Sequence, residues 1–279
     1  LHLSLRRQRQ MCIRDSDQTM RLANMGYVPT EIAEMLKLPE EYLKESHVQG
    51  YYGTVSHNTK AVYTKYLGWY DGNPSNLNPL PPVEAGQKYV EYMGGTEELI
   101  GKATKAFEEG DYRWVVQVMN HAVFADPTNT KVRNLQADAF EQLGYQSESG
   151  TWRNAYLTAA RELRYGSLRI PASMGRQIAH AITIDQLFDM IGVRFNPEKF
   201  DHGPTRINWH FTDIEEDHVL GIERSTVHHD PNTSDSEANA EITTTRKVIA
   251  LILGDQIALE EVIESSDLVI HSGEAVIQT

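Results

Sequence analysis

A single cysteine, Cys12, occurs in 279 residues. One thiol closes no intramolecular disulfide and builds no cysteine-based zinc site. Long apolar runs are missing too. No stretch of about 18 apolar residues is present, so no transmembrane helix is predicted. Basic residues are scarce: Lys and Arg number 26 against 39 Asp and Glu, a net charge of −13. Residues 1–16 hold four of the arginines and one aspartate, and beyond them the balance is 22 basic against 38 acidic, or −16. Such a chain repels nucleic acid and anionic membrane surfaces. Several catalytic signatures are absent as well. There is no Gly-x-Ser-x-Gly elbow, no phosphate-cradling Gly-x-Gly-x-x-Gly, no His-Glu-x-x-His and no His-x-His-x-Asp-His.

What is present belongs to a folded chain. Apolar residues make up 40%, and 279 residues suffice for two or three domains. Leu1–Ser16 shows no helix or strand period and no apolar leader core. It reads as translated adapter sequence or as a disordered basic arm. From Asp17 the pattern is helical. Asp17–Met25 is closed by Gly26, a second helix opens at Pro29-Thr30 with Ile32, Ala33 and Leu36 on one face, and a third opens at Pro39. The last two imitate a helix-turn-helix reader of DNA, but Glu40, Glu41 and Glu45 carry the wrong sign for phosphates.

Gly50–Pro74 is the most unusual stretch. Tyr51, Tyr52, Tyr63, Tyr66, Trp69 and Tyr70 share a turn-helix-turn with His57. Ser56 or Asn58 is suited to cap the helix, Gly68 to end it, and Asp71-Gly72-Asn73-Pro74 to stop it. Aromatics in such a cluster serve a core or an interface more often than a site.

Pro74–Pro82 marks a boundary, and Val83–Arg164 is helical throughout. The predicted helices are Glu97–Glu109, one capped by Asp111, Thr128–Leu143 closed by Gly144, and Thr151–Leu163. The spacing of Ala103, Gly110-Asp111-Tyr112, Ala122, Asp126-Pro127 and Ala137 is tetratricopeptide-like over one and a half repeats. So short an array needs a partner surface, because repeats bury their faces only on neighbours. A linker, residues 166–181, leads to a different period. Thr183-Ile184-Asp185-Gln186 forms a capping box. Ile207, Trp209 and Phe211 then alternate with polar residues as a half-buried strand, and three further strands follow as an antiparallel meander. A helix through Val248–Leu253, a helix at Leu259–Ile263 and a strand at Asp267–His271 complete the pattern. Glu215-Glu216 and Glu260-Glu261 read as solvated faces. His228 and His229 would point to opposite faces of a strand and make a poor shared metal site.

The Gly50–Pro74 block, together with Leu77–Glu84, Glu109–Trp114 and Leu143–Asn154, resembles the region that follows the metallo-β-lactamase-like catalytic domain in bacterial alkyl (aryl) sulfatases, which hydrolyse dodecyl sulfate. The resemblance covers nearly everything from Asp17 onward. It implies an α + α/β organisation. Residues 17–82 would be the helical end of the catalytic domain, 83–165 an all-α tetratricopeptide-like dimerisation domain, and 182–279 a sterol-carrier-like α+β domain cut short before its closing helix.

The activity implied is hydrolysis of alkyl sulfates to alcohol and sulfate by two zinc ions, with ligands from a His-x-His-x-Asp-His motif that this sequence lacks. The chain would therefore bind no zinc and be inactive alone, while supplying a homodimer contact and an apolar groove for an alkyl chain. In the family the turn-helix block abuts the metal site. His57 is thus the candidate to meet the sulfate, with Tyr51, Tyr52 and Asn58 nearby. The resemblance allows a periplasmic or secreted location and leaves it undetermined. A stand-alone dimerising lipid carrier without catalysis is the alternative reading.

Overall fold

The computed structural model describes residues 2–168, 182–201, 203–254 and 256–273. Two compact units divide the chain, Leu1–Leu168 and Arg169–Thr279. Most of the expected 166–181 linker, residues 169–181, lies outside the described residues, as do residues 274–279 at the expected truncation.

The first unit is helical. Its helices are α1 (His2–Ala23), α2 (Pro29–Met35), α3 (Glu40–Leu43), α4 (Val55–Leu67), α5 (Pro82–Tyr92), α6 (Thr96–Glu108), α7 (Tyr112–Ala125), α8 (Thr130–Gln146) and α9 (Gly150–Tyr165). Helix α1 runs back to His2, through the stretch where no helical period is visible. The face that anchors it is Asp15, Thr19 and Leu22, all buried. Two of the three are polar, so a search for apolar periodicity passes over them. Leu22, Ile32, Leu36 and Tyr63 form the small core that joins α1, α2 and α4.

A larger core, with Val115, Met119 and Val132 fully buried, ties α5 to α8. Two expected punctuation marks act differently here. Asp111 makes no side-chain cap, whereas Asn129 caps α8 by accepting from Lys131 N–H and Val132 N–H. Gly144 does not stop α8, which continues to Gln146. A Cβ at Gly144 would sit 2.8 Å from Leu157 Cδ2, so its missing side chain lets α9 approach α8. Arg164 clamps the same pair, reaching Asp138 at 2.5 Å and Glu141 at 2.6 Å.

The second unit holds α10 (Ile184–Arg194), β1 (Thr205–Phe211), β2 (Glu216–Glu223), β3 (Thr226–Pro231), β4 (Ala240–Thr244), α11 (Arg246–Leu253), α12 (Leu259–Glu264) and β5 (Val269–Ser272). The Thr183 capping box forms as expected, and Thr245 caps α11. Ile207, Trp209 and Phe211 point into the core from β1. The sheet order is β3-β2-β1-β4-β5. It is mixed, which corrects the expected antiparallel meander: β4 runs parallel to β1, while the other pairs are antiparallel.

The polar loop between β3 and β4 makes that arrangement. Asn208 on β1 donates from Nδ2 to Asp235 O and accepts from Asp235 N–H, each at 2.9 Å. Arg206 N–H donates to Asn239 Oδ1 at 2.7 Å, and Asn239 N–H donates to Arg206 O at 2.8 Å. These four bonds lay the loop along β1, and β4 follows beside it.

Candidate functional site

The turn before α4 is held by backbone groups. Thr54, rather than Ser56 or Asn58, caps α4: its Oγ1 accepts from His57 N–H at 3.0 Å. Tyr51 and Tyr52 are exposed, and their carbonyls do the fixing. Gly150 N–H donates to Tyr51 O at 2.7 Å. The hydroxyls of Ser149 and Thr151 both lie 2.6 Å from Tyr52 O. The start of α9 thus straps the turn that opens α4.

His57 sits at this junction. Trp152 Nε1–H, in the first turn of α9, donates to His57 Nδ1 at 3.2 Å. Lys60 lies 5.7 Å from the Trp152 ring, and Tyr156 meets that ring edge-on at 6.4 Å. A cavity of about 500 Å³ opens beside them, lined in part by Ser56, Lys60, Arg113, Gln117, Trp152 and Tyr156. The structure therefore brings His57 together with the backbone of Tyr51 and Tyr52. Trp152, Ser149 and Thr151 complete the group. They belong to the Leu143–Asn154 segment that carries the resemblance, but no local pattern pairs them with His57.

Asn58 is turned elsewhere. Its Nδ2 lies 3.4 Å from Asp15 Oδ2 on α1, so it serves the interior rather than the His57 junction. Asp15 is buried, and burial raises its pKa above the ordinary 3.8, with the Asn58 bond and nearby Arg14 opposing in part. A raised carboxyl pKa means the folded chain holds this proton more firmly than the unfolded chain. Its contribution to stability therefore falls as pH rises through the window that begins near 3.8. Asp15→Asn is expected to flatten that part of the profile. Denaturant unfolding of both proteins across pH 3 to 7 checks it, and parallel profiles would refute it.

Among the described residues no group of three or more His, Cys, Asp or Glu is placed to hold a metal ion. His228 and His229 lie on β3 and face opposite ways. His229 Nε2 lies 2.9 Å from Asp185 Oδ1 on α10, while the His228 ring covers Gly221 on β2. The donor set for a zinc pair is not found in these residues.

In the second unit an apolar groove of about 490 Å³ lies between sheet and helices. Ile207, Trp209 and Ile242 line it from the sheet, and Ile191, Ile252 and Leu259 from the helices. Trp209 is buried, and its indole N–H has no hydrogen-bond partner among the described residues. Arg194 and Lys199, both exposed, stand at the groove. Arg194 donates to Leu253 O and so links the ends of α10 and α11. No described helix is long and apolar enough to cross a membrane.

Residues 28–166 match the family model for alkyl sulfatase dimerisation, and residues 172–279 the model for the alkyl sulfatase C-terminal region. An alkyl/aryl-sulfatase of Saccharomyces cerevisiae is 43% identical over 267 residues, covering 96% of this chain and 41% of that protein. A linear primary-alkylsulfatase of Pseudomonas sp. is 41% identical, covering 95% of this chain and 40% of its own length. An (R)-specific secondary-alkylsulfatase of Pseudomonas sp. is likewise 41% identical over 252 residues, with 90% and 37% covered. The chain thus spans about two fifths of these relatives. Among solved structures, the stereoselective inverting sec-alkylsulfatase of Pseudomonas sp. superposes with a TM-score of 0.85 at 38% identity, over 95% of this chain and 42% of that one. Two adjoining family models, relatives of one enzyme class and a matching fold agree: the chain belongs to the alkyl sulfatase family and carries its dimerisation and C-terminal regions.

Proposed function

We propose that the chain is the C-terminal part of an alkyl sulfatase that hydrolyses sulfate esters such as dodecyl sulfate to alcohol and sulfate. Residues 83–165 of the helical unit, read as tetratricopeptide-like, pair two copies. The second unit, read as sterol-carrier-like, holds the alkyl chain. In such an enzyme a zinc pair would activate water and neutralise charge on the sulfate. Among the described residues no ligand set fits it, and the part proposed for this chain is binding and positioning. His57 is assigned to the sulfate of the ester being cleaved, a ligand separate from the one held in the second unit, and a neutral imidazole donates a hydrogen bond to an anionic oxygen there. Tyr51 and Tyr52 form the adjoining wall, and Asn58 supports the turn from within.

The observation that carries this reading is the groove. Apolar side chains from both sheet and helices line it, and cationic Arg194 and Lys199 stand beside it. An alkyl chain with an anionic head matches that distribution. Its test is calorimetric titration of the 279-residue chain with dodecyl sulfate below the micellar concentration. Ile252→Asp places a carboxylate against the half-buried groove wall and is expected to weaken binding by about tenfold or more, about 1.4 kcal/mol. Unchanged affinity in the variant would remove the groove from the proposal. Sulfate release by this chain alone would overturn its assignment to binding without chemistry.

A further inference from the structure

The side chain that meets His57 is a pure donor. An indole N–H has no lone pair to offer, and the Trp152 nitrogen lies 3.2 Å from His57 Nδ1. That nitrogen must then be the acceptor, so a neutral His57 carries its proton on Nε2. We propose that Trp152 is a positioning residue that selects the Nε2–H tautomer of His57 and fixes the ring, so that the Nε2–H bond is the one presented to a ligand. The ligand class is an anion that accepts hydrogen bonds through oxygen. Calling that anion the substrate's sulfate rests on the function proposed above; the tautomer assignment does not.

The indole is well placed for this task because it is held on several sides. Tyr156 meets its ring edge-on, and the Lys60 ammonium approaches the same ring from α4. The Trp152 backbone N–H is bound by Ser149 Oγ at 3.4 Å. Ser149 and Thr151 in turn hold Tyr52 O, and Gly150 holds Tyr51 O. On the other side, Thr54 fixes the His57 backbone. Donor and acceptor are 95 residues apart in sequence, yet each stands in the first turn of its helix. Both first turns are anchored to the same Tyr51-Tyr52 turn, which keeps the indole against the imidazole. The Nε2 edge lies opposite the Trp152 contact on an exposed ring, where no described residue is assigned to it.

Nitrogen NMR of the ¹⁵N-labelled 279-residue chain reads the tautomer directly. The expected result is an unprotonated Nδ1, a protonated Nε2, and a scalar coupling across the hydrogen bond between Trp152 Nε1 and His57 Nδ1. Trp152→Phe keeps a flat ring and removes the donor. It is expected to abolish the coupling and make the Nδ1–H tautomer measurable. A protonated Nδ1 in neutral His57 of the unmodified chain would overturn the proposal. So would an unaltered tautomer balance in a folded Trp152→Phe chain. The first of these readouts needs no variant, so a misfolded substitution leaves the proposal open to refutation. Titration with dodecyl sulfate separates the two readings. An Nε2 signal that ignores the ligand removes sulfate from His57, while the coupling and the Nδ1 state still decide the role of Trp152.

Discussion

Phe188→Ala is expected to destabilise the second unit by about 3–5 kcal/mol, the cost of deleting a buried phenyl ring and leaving a cavity. The position earns that range. Phe188 is 1% exposed and points from α10 into the sheet. Its ring centroid lies 5.8 Å from Trp209, 6.1 Å from Phe211, 5.7 Å from His218 and 5.4 Å from His229. One side chain therefore touches rings from β1, β2 and β3. Trp209 and Phe211 are also stacked on one another, at 6.1 Å and 8°. Aromatic pairs add about 0.5–1.5 kcal/mol each beyond the area they bury. Against a total stability of about 5–15 kcal/mol for a domain, the loss is a large share. Guanidinium unfolding followed by circular dichroism measures it. A loss below about 1 kcal/mol would mean that the site collapses without leaving a cavity, and that the ring cluster does not organise this core.

Strands β1 and β4 of the second unit are legible in sequence because one face is buried. Ile207, Trp209 and Phe211 stand two apart, and the structure buries all three. Which strand lies beside which is a different matter. The polar residues of β1 read as a solvent face, and for His210 that holds, since it is exposed and lies 2.6 Å from Asp217. For Asn208 it does not, because its half-buried side chain is bound by Asp235 and steers the following loop, while exposed Arg206 holds Asn239 through its backbone. A polar side chain facing water and one strapping a loop look alike in the alternation pattern. The parallel β1–β4 pairing was hidden for that reason.

The candidate site shows the same division. The turn, the helix after it and Gly68 at its end follow from glycine and helix-capping preferences. Choosing among Thr54, Ser56 and Asn58 as the cap depends on backbone angles, and Thr54 has the extended conformation that a cap needs. Tyr51 and Tyr52 draw notice for their rings, whereas the structure uses their carbonyls. His57 stands out in the sequence as a lone histidine among aromatics. Its tautomer is set by a residue 95 positions away, beyond the reach of any periodicity.

Two helix glycines in the first unit should respond to alanine with opposite signs. In a helix interior, glycine costs about 0.5–1 kcal/mol relative to alanine, so Gly→Ala stabilises wherever a methyl group fits. At Gly101 on α6 nothing lies within 4 Å of the added Cβ, and Gly101→Ala is expected to stabilise by about that amount. At Gly86 on α5 the added Cβ would stand 2.6 Å from His121 O and 3.2 Å from Ala125 N, both backbone atoms of α7. Backbone cannot swing aside as a side chain does. The two helices would have to separate, and overpacking of this kind costs about 1–3 kcal/mol. That cost exceeds the propensity gain, so Gly86→Ala should lower the melting temperature while Gly101→Ala raises it. Separation of α5 from α7 would also loosen the core to which Val90 and Met119 both belong. Thermal unfolding of the two single variants and the double variant decides the matter. A stabilising Gly86→Ala would mean that α5 and α7 are not in close contact at this glycine, and that the residue is there for some reason other than packing.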